Sequence, residues 1–287
     1  MAKPKRTIAD FESEVFPTWC PGCGDWSIWG AIKQSLVDLD IAPHELTVIY
    51  GVGCSGNMCS FLNAYGFHAL HGRSLPLAVG TKLANHDLPV LVVNGDGDNY
   101  GEGLNHWIHT MRGNHNLTHL VHDNLVYGLT TGQTSPTSER GMKTKSTPHG
   151  VIERQTNPMG LALEAGASFI ARGFAGDHKH LNGLIKQAME HRGYALVDIF
   201  QPCVTFNHKQ TYDWYRERLY KLEETGHDPH DKDAAYHEAH KWGDQLPIGI
   251  LYQEDREVYH EEIEHLDTPL ALKTLKPNIK PLLKEFS

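Results

Sequence analysis

The sequence predicts an α/β fold built on a parallel sheet with helices on both faces. The first observation behind this prediction is that short apolar runs alternate with amphipathic helical segments along much of the chain. The second is that these runs end in glycine-rich or polar sequence, as where residues 90–93 lead into residues 94–98, NGDGD. Because parallel α/β folds bind ligands at the carboxyl edge of the sheet, we expect a ligand site at that edge.

The elements follow from two local patterns. β-Branched runs bounded by glycine predict strands, and apolar residues three or four positions apart predict helices. The first part of the chain is predicted to contain an arm at 1–16, a loop at 19–25, a helix from Asp25, a strand at 46–50 and a helix through 77–83. A strand at 89–93, a crossover helix at 101–112 and a strand at 117–122 follow, and then a long loop at 128–150. The last part contains a second βα region from 161, a helix at 180–190, a strand at 195–200 and a helix at 211–222. The charged, His-rich remainder, 223–287, is expected to be an irregular C-terminal arm that packs on a partner subunit.

Composition limits the classes of function. The chain has 287 residues, of which 40% are hydrophobic and 21% charged, as in a globular protein. Its formal net charge of −9 disfavours nucleic-acid binding, which requires a basic surface. No apolar run approaches the ~20 residues of a membrane span, and the N-terminus lacks the apolar segment of a secretory signal. We therefore expect a cytoplasmic protein.

Two polar strand ends predict a metal site. Asp96 follows the strand at 89–93, and Asn124 follows the strand at 117–122. Two hard oxygen ligands suit Mg²⁺, which takes its remaining ligands from phosphate oxygens and water. From these residues alone, the alternative is an ordinary tight turn at Gly95-Asp96-Gly97 with Asn124 as a turn residue.

Five cysteines occur in a chain without a secretory signal, which indicates reduced thiols rather than a disulfide framework. Cys20 and Cys23 resemble a redox motif, but the sequence before them is a poor strand. Cys54 and Cys203 each follow a predicted strand, so four thiols on loops could hold zinc or an iron–sulfur cluster, or remain unligated. Cys59 lies in an apolar stretch and is expected in the core.

His71-Gly72-Arg73 lies between a strand end and a helix start. Its backbone and the side chains of His71 and Arg73 could contact an anionic cofactor. The alternative is a helix-capping turn with a solvated arginine.

These segments together resemble one family. The resemblance covers about residues 15–260 and rests on motifs that occur in a fixed order. They are WCPGCG from Trp19, GVGCS from Gly51, YGFH from Tyr65, HGRSLP from His71, KLAN from Lys82, GDGD from Gly95, DNLVYGLT from Asp123, GQTSPT from Gly132 and QPCVTFN from Gln201. The chain resembles the β subunits of 2-oxoacid:ferredoxin oxidoreductases, particularly the 2-oxoglutarate type.

The resemblance implies a thiamine diphosphate-binding fold at 17–222, with Mg²⁺ and one [4Fe-4S] cluster. It implies that Asp96 and Asn124 bind Mg²⁺ by side chain and Val126 by its carbonyl, and that Cys20, Cys23, Cys54 and Cys203 hold the cluster. The residues that it places against thiamine diphosphate are Val52, Gly53, Cys54, Ser55, His71, Gly72, Arg73, Ser74, Gly97, Asp98, Gly128 and Leu129. It assigns no catalytic side chain, because the cofactor carries the chemistry.

The resemblance also implies an activity and partners. The activity is oxidative decarboxylation of 2-oxoglutarate, or its CO₂-fixing reverse, with coenzyme A and with one-electron transfer through the cluster to ferredoxin. An α subunit is expected to complete the site in an αβ or (αβ)₂ assembly. The alternatives are another 2-oxoacid such as pyruvate, a thiamine diphosphate decarboxylase without a cluster, and a zinc-stabilised binding module. Two positions depart from the family pattern, Glu102 in place of Ile and Asn57 in place of a basic residue.

Overall fold

The computed structural model describes residues 5–264, 266–273 and 278–286. Its strands are β1 (Thr47–Tyr50), β2 (Tyr65–His68), β3 (Val90–Gly95), β4 (Leu117–Asp123), β5 (Val126–Tyr127), β6 (Gln133–Thr134), β7 (Phe169–Phe174), β8 (Tyr194–Phe200), β9 (Leu219–Lys221) and β10 (Leu246–Gln253). Its α-helices are α1 (Asp25–Asp38), α2 (Ser74–Ala84), α3 (Leu104–Arg112), α4 (Pro158–Ala165), α5 (His178–Glu190), α6 (Tyr212–Arg216), α7 (Lys232–Ala239) and α8 (Lys280–Glu285). None of the helices in these ranges is long and apolar enough to cross a membrane.

Eight strands form one sheet in the order β2-β1-β3-β4-β8-β7-β10-β9. All neighbouring pairs are parallel except β7 with β10, which are antiparallel. β5 and β6 form a separate short hairpin. The parallel central strands leave their carboxyl ends at one edge, where the predicted ligand site lies.

The sheet is covered on both faces because successive strand residues point to opposite sides. Leu91 and Leu120 pack with α1 and α5 on one face, whereas Val92 and Val121 pack with α2, α3 and α4 on the other. Every residue of β4, β7 and β8 is buried, which explains their nearly continuous apolar sequence.

Local sequence fixes the ends of the helices beside the site. Asn157 and Asp177 cap α4 and α5 by accepting hydrogen bonds from Gly160 N and His180 N. Gly166 ends α4 with φ 77°, a left-handed conformation that glycine adopts without a steric cost. Between β3 and α3, Gly97–Glu102 forms a π-helical turn in place of the first turn of the predicted crossover helix.

The predicted domain boundary at 222 and the irregular arm from 223 are wrong for residues up to 253. α7 packs on α4 and β10, and β10 pairs with both β7 and β9 inside the main sheet. Leu246, Ile248 and Leu251 of β10 are buried. Burial of these apolar side chains favours a strand in the sheet, although the sequence on either side of β10 is charged. The predicted packing of this region on a partner subunit stays a prediction, and its residues 265, 274–277 and 287 lie outside the described residues.

Two further predictions are corrected. The helix expected at 211–222 ends at Arg216, because Leu219–Lys221 instead pairs with β10 as β9. The arm expected at 1–16 is partly packed, since Phe11 is fully buried and Glu12 forms a β-bridge with Leu62.

Candidate cofactor cleft

The predicted site residues converge because their strands are neighbours. β3 and β4 pair in parallel, with Gly95 opposite His122, so Asp96 and Asn124 follow adjacent strand ends. They border one cleft, which we call the cofactor cleft. It is lined by Val52, Gly53, Cys54, Ser55, His71, Gly95, Asp96, Gly97, Asp98, Asn124, Val126, Tyr127, Gly128, Leu129 and Thr130.

Three of the predicted cofactor contacts, Gly72, Arg73 and Ser74, are not among the residues that line the cleft, and their contact with a cofactor stays a prediction. Gly72 N donates to Asp98 Oδ1 at 2.8 Å, and Ser74 Oγ donates to Asn94 Oδ1 at 2.9 Å. Both residues therefore support Asp98 from behind, since Asn94 Nδ2 also donates to Asp98 Oδ2. Arg73 is exposed, and its guanidinium donates only to the carbonyl of Gly72 among the described residues.

Gly72 is required for this support. Its φ is +65°, and a Cβ there would lie 2.4 Å from the backbone carbon of Glu102. The glycine thus lets the segment at 71–74 pack directly on the π-helical turn that carries Asp98.

Asp96 is a buried carboxylate with a carboxylate neighbour. It is 1% exposed, and burial raises its pKa to about 6, although hydrogen bonds from Ser135 and Thr137 oppose the rise. Thr137 Oγ1 lies 2.7 Å from Asp96 Oδ2 and 2.8 Å from Asp123 Oδ1. Burial, followed by the charges of Asp198 and Asp96, raises the pKa of Asp123 well above its usual range. A divalent cation beside Asp96 would offset this cost of burying negative charge.

Asn124 is held by contacts on both sides of its amide. Its Oδ1 accepts from Val126 N at 3.0 Å, and its Nδ2 donates to Gln201 Oε1 at 3.1 Å. Between them Leu125 has φ 64°, which turns the chain sharply after β4. Carboxylate, amide and carbonyl oxygens are thus presented within one turn beyond β3 and β4, a donor set that suits Mg²⁺.

The cleft also contains polar capacity without a protein partner. Ser55 is 3% exposed, and its Oγ has no hydrogen-bond partner among the described residues. A buried hydroxyl without a partner is costly unless a ligand or water satisfies it. Beside it Gly53 has φ +149°, and a Cβ there would meet nothing within 4 Å. A bound anionic group could therefore approach this backbone closely.

Glu102 contacts two residues that line the cleft. Its carboxylate accepts from Tyr127 OH at 3.2 Å and lies 3.3 Å from His71 Nδ1, which is also 2.8 Å from Asp98 Oδ1. Burial, followed by the charge of Glu102, raises the pKa of Tyr127. The residue that departs from the family pattern therefore links the two cleft segments that carry His71 and Tyr127.

Four of the five cysteines are near one another. A Cβ at Gly128 would lie 3.3 Å from Cys54 Sγ and 3.9 Å from Cys203 Sγ, so these two sulfurs flank the cleft. Burial, then the charges of Asp25, Cys203 and Cys20, raises the pKa of Cys54 to about 12. Burial, Asp25 and Cys203 likewise raise the pKa of Cys23.

The fifth cysteine lies elsewhere. Cys59 Sγ is 3.6 Å from His68 Nδ1, at the end of β2. It is only partly buried, although it packs against the core cluster that contains Phe61.

The four cysteines do not form a site for a single ion. In the part of the chain that the structure describes, no three His, Cys, Asp or Glu side chains could hold one metal ion. A structural zinc site needs four ligands around one atom, whereas the thiolates of an iron–sulfur cluster bind different iron atoms and stand farther apart. Four thiols from three loops could serve such a cluster, in which each thiolate binds one iron. Burial favours the protonated thiols of Cys23 and Cys54. Binding of iron would instead stabilise their thiolates.

Hydrogen bonds connect the cysteine loops to the cleft. Trp19 Nε1 donates to the carbonyl of Cys54 at 2.7 Å, and Gln201 Nε2 donates to Cys23 Sγ at 3.2 Å. Gln201 also accepts from Asn124. Neither Thr137 nor Gln201 is singled out by a local sequence pattern, although both occur in the motifs GQTSPT and QPCVTFN.

Two protein families match parts of the chain. Residues 51–199 match the family described as "Thiamine pyrophosphate enzyme, C-terminal TPP binding domain". Residues 203–268 match the family that describes the C-terminal part of the pyruvate ferredoxin oxidoreductase beta subunit. The first match, together with similarity to a solved structure, confirms the predicted α/β fold of the thiamine diphosphate-binding type.

Several curated relatives align over most of the chain. The 2-oxoacid:ferredoxin oxidoreductase subunit beta of Saccharolobus solfataricus is 42% identical over 281 residues, covering 92% of each chain. Subunit beta of 2-oxoacid:ferredoxin oxidoreductase 2 of Aeropyrum pernix is 41% identical and covers 98% of this chain and 96% of its own. The 2-oxoglutarate oxidoreductase subunit KorB of Mycobacterium tuberculosis is 46% identical over 198 residues, which are 69% of this chain and 53% of KorB.

A solved structure is similar over the full length. It is the 2-oxoglutarate:ferredoxin oxidoreductase from Magnetococcus marinus with 2-oxoglutarate, coenzyme A and succinyl-CoA bound. The TM-score is 0.92 at 37% identity, with 100% of this chain and 98% of the other covered.

Proposed function

Because this chain belongs to the β subunits of 2-oxoacid:ferredoxin oxidoreductases, we propose that it serves the coenzyme A-dependent oxidative decarboxylation of 2-oxoglutarate, or the reverse reaction. In this proposal the cofactor cleft binds thiamine diphosphate and Mg²⁺, and Cys20, Cys23, Cys54 and Cys203 hold a [4Fe-4S] cluster. Ferredoxin is the proposed electron acceptor.

The observation that carries the proposal is that one cleft is bordered by both an Asp96–Asn124 pair and Cys54. Thiamine diphosphate would supply an electron sink for decarboxylation. Asp96, Asn124 and the Val126 carbonyl would hold Mg²⁺ on the diphosphate, and Ser55 would donate its unused hydroxyl hydrogen to the bound cofactor. Asp98, supported by Gly72 and Asn94, would fix the shape of the loop beneath it.

Cys54 gives the cleft its proposed redox role. It lines the cleft and lies beside Gly128 together with Cys203, so a cluster on these sulfurs would be next to the bound cofactor. A thiamine diphosphate decarboxylase without a cluster would not require these thiols. Electron transfer from a cofactor in the cleft to a cluster requires the two to be close together. We therefore prefer an oxidoreductase to a decarboxylase without a cluster.

The α subunit would complete the site. The β-subunit relatives imply an α partner for this chain, and hydrophobic side chains are exposed around the cleft and at the neighbouring sheet edge. They are Tyr65, Phe67, Leu70 and Leu129. Exposed apolar clusters of this kind mark interaction surfaces, so we propose that the α subunit packs over this side.

The choice of 2-oxoglutarate follows from the substrate named for KorB and for the Magnetococcus marinus enzyme. Pyruvate remains the second candidate, because the segment 203–268 matches a family named for pyruvate. The residues that select between them belong in part to the α subunit in this proposal.

The test is to co-purify the chain with its α subunit without oxygen and to measure iron, sulfide and bound thiamine diphosphate. Ferredoxin or viologen reduction is then assayed with coenzyme A and a panel of 2-oxoacids. We expect four irons per β chain and the highest kcat/KM for 2-oxoglutarate. Zinc in place of iron would refute the redox mechanism, and a preference for pyruvate would refute only the choice of substrate.

A further inference from the structure

A second cavity lies next to the cofactor cleft. Its volume is about 960 Å³, in the range of small-molecule sites. Asp123 and Thr137 line it, and Thr137 also contacts Asp96 of the cleft, so these residues form the wall between the two. The start of α4, the end of α7 and the loop between residues 137 and 157 form the other walls. We call it the basic cavity.

The lining of the basic cavity is rich in basic side chains, of which Arg172 and Lys241 are paired with the carboxylates of Asp198 and Glu238. Its lining contains four basic side chains and two carboxylates, whereas the chain carries a net charge of −9. The basic residues are Arg140, Arg154, Arg172 and Lys241, and the acidic ones are Asp123 and Glu164. A concave surface of one sign concentrates ligands of the other sign.

Arg172 is the strongest evidence for a ligand. It is 3% exposed in the middle of β7, and its Nη1 is buried without a hydrogen-bond partner among the described residues. Its Nε is 3.4 Å from Asp198 Oδ2, an ion pair that satisfies only one side of the guanidinium. Asp198 is already shared with Tyr100, whose hydroxyl donates to Oδ1 at 2.7 Å. A buried guanidinium donor without an acceptor is costly unless a ligand or water accepts its hydrogen bond.

The rim adds groups suited to phosphate and to a flat ring. Arg140 and Arg154 are exposed, and the structure gives neither side chain a hydrogen bond or ion pair with any described residue. Trp242 lines the cavity, and Tyr236, 45% exposed, lies on the ring of His240 with centroids 4.2 Å apart. α4 begins at the same wall with Asn157 and Pro158, so the positive end of its dipole faces the cavity.

We propose that the basic cavity binds a phosphate-bearing ligand of nucleotide size, with its phosphates on Arg140, Arg154 and Arg172 and its ring against Tyr236 or Trp242. The planar forks of three arginines favour phosphate oxygens over a single carboxylate. The adenosine diphosphate group fits this description and has two sources, a free nucleotide or the corresponding part of coenzyme A. This site is separate from the proposed thiamine diphosphate site; the coenzyme A source rests on the proposed function, whereas a free nucleotide goes beyond it.

The test is calorimetric titration of the complex of this chain with its α subunit, saturated beforehand with thiamine diphosphate and Mg²⁺. Saturation fills the cofactor cleft, so further binding belongs elsewhere. The probes are ADP, coenzyme A and inorganic pyrophosphate. We expect one ADP site per β chain, with pyrophosphate binding more weakly than ADP because it lacks the ring. The double variant Arg140→Gln/Arg154→Gln is expected to weaken ADP binding at least about tenfold.

Two further variants keep the test decisive. Arg112→Gln removes the same charge from an exposed arginine of α3 outside the cavity and should leave ADP binding unchanged. Arg172→Lys keeps the buried charge but loses the planar fork, and we expect it to weaken ADP several-fold. Should that variant fail to fold, the exposed rim variants still decide the question.

The outcomes separate the two sources. If ADP displaces coenzyme A, the ligand is the nucleotide end of coenzyme A. If both bind together, it is a free nucleotide. Absent ADP binding in the saturated complex, or equal losses in Arg112→Gln and the double variant, would overturn the proposal, as would occupation of the cavity by an acidic segment of the α subunit. Measuring 2-oxoacid oxidation in the same preparations distinguishes this failure from a failure of the proposed function.

Discussion

The cofactor cleft and the basic cavity share a wall and have opposite charge. In the cleft, the buried carboxylate of Asp96 accepts from Thr137, which also contacts Asp123 in the shared wall, and burial raises the pKa of both carboxyl groups. In the cavity, the buried guanidinium of Arg172 has donors without acceptors among the residues that the structure describes. The cleft thus has excess buried negative charge, whereas the cavity has a guanidinium that is paired with Asp198 but keeps a donor without an acceptor. We therefore propose different ligands for the two regions, a cation in the cleft and a phosphate group in the cavity.

The largest effect is expected for Asp96→Asn, which removes the central negative charge of the cleft while preserving its shape. Loss of a buried charged partner should weaken thiamine diphosphate binding at normal Mg²⁺ at least about thirtyfold. Cofactor retained after gel filtration measures this effect. Asp213→Asn, 86% exposed at its side chain, is the matched control. ADP binding in the basic cavity should persist in Asp96→Asn, and tightly held thiamine diphosphate in that variant would refute the metal assignment.

The next effect concerns the cysteines beside the cleft. Cys203→Ala should lose iron and sulfide, because a [4Fe-4S] cluster that has only three of its four thiolate ligands is labile. Cys59→Ala removes a thiol that lies apart from the other four, and it should keep a full cluster. Anaerobic absorption spectra with iron and sulfide analysis measure both variants. Equal iron contents in the two would show that Cys203 is not a ligand.

Two truncations distinguish the role of α7 and β10 in folding from the role of the terminal segment in assembly. Ending the chain after residue 223 removes α7 and β10, so we expect an unfolded or aggregated protein. Ending it after residue 266 keeps both elements, and the domain should fold with the basic cavity intact. If the terminal segment packs on the α subunit, the longer truncation product should assemble with it less tightly. Gel filtration measures assembly, and an unchanged complex would contradict that packing.

The smallest effect is expected for Glu102→Gln. The side chain is 43% exposed, so its electrostatic contact with His71 is largely screened by solvent. Glutamine still accepts from Tyr127 but no longer attracts His71. Because His71 lines the cleft and is then held less firmly, we expect thiamine diphosphate to bind about two- to fivefold more weakly. Calorimetry on the complex measures this, with Glu190→Gln, an exposed carboxylate at the end of α5 that does not line the cleft, as the control for the charge change. A loss as large as that of Asp96→Asn would mean that Glu102 contacts the cofactor directly.

Much of the site followed from local sequence. Asp96 and Asn124 could be paired because the ends of neighbouring parallel strands meet at one edge, a rule that needs only the element order. The α/β fold and the family were predictable for the same reason, since periodicity and ordered motifs are properties of the chain itself. The cysteines could be grouped by their loops, but the sequence left zinc and a cluster as alternatives.

The tertiary structure decided what depends on residues distant in the chain. It linked Gly72 directly to Asp98, and Ser74 to Asp98 through the side chain of Asn94 in β3. It moved β10 into the sheet, where pairing with the distant strand β7 outweighs the charged local sequence. It also brought Arg172 of β7 and Lys241 after α7 to one cavity. No local pattern predicts these contacts, because they depend on packing and charge burial between residues far apart in the chain. Asp96 and Asn124, in contrast, could be identified because each directly follows a strand in the sequence.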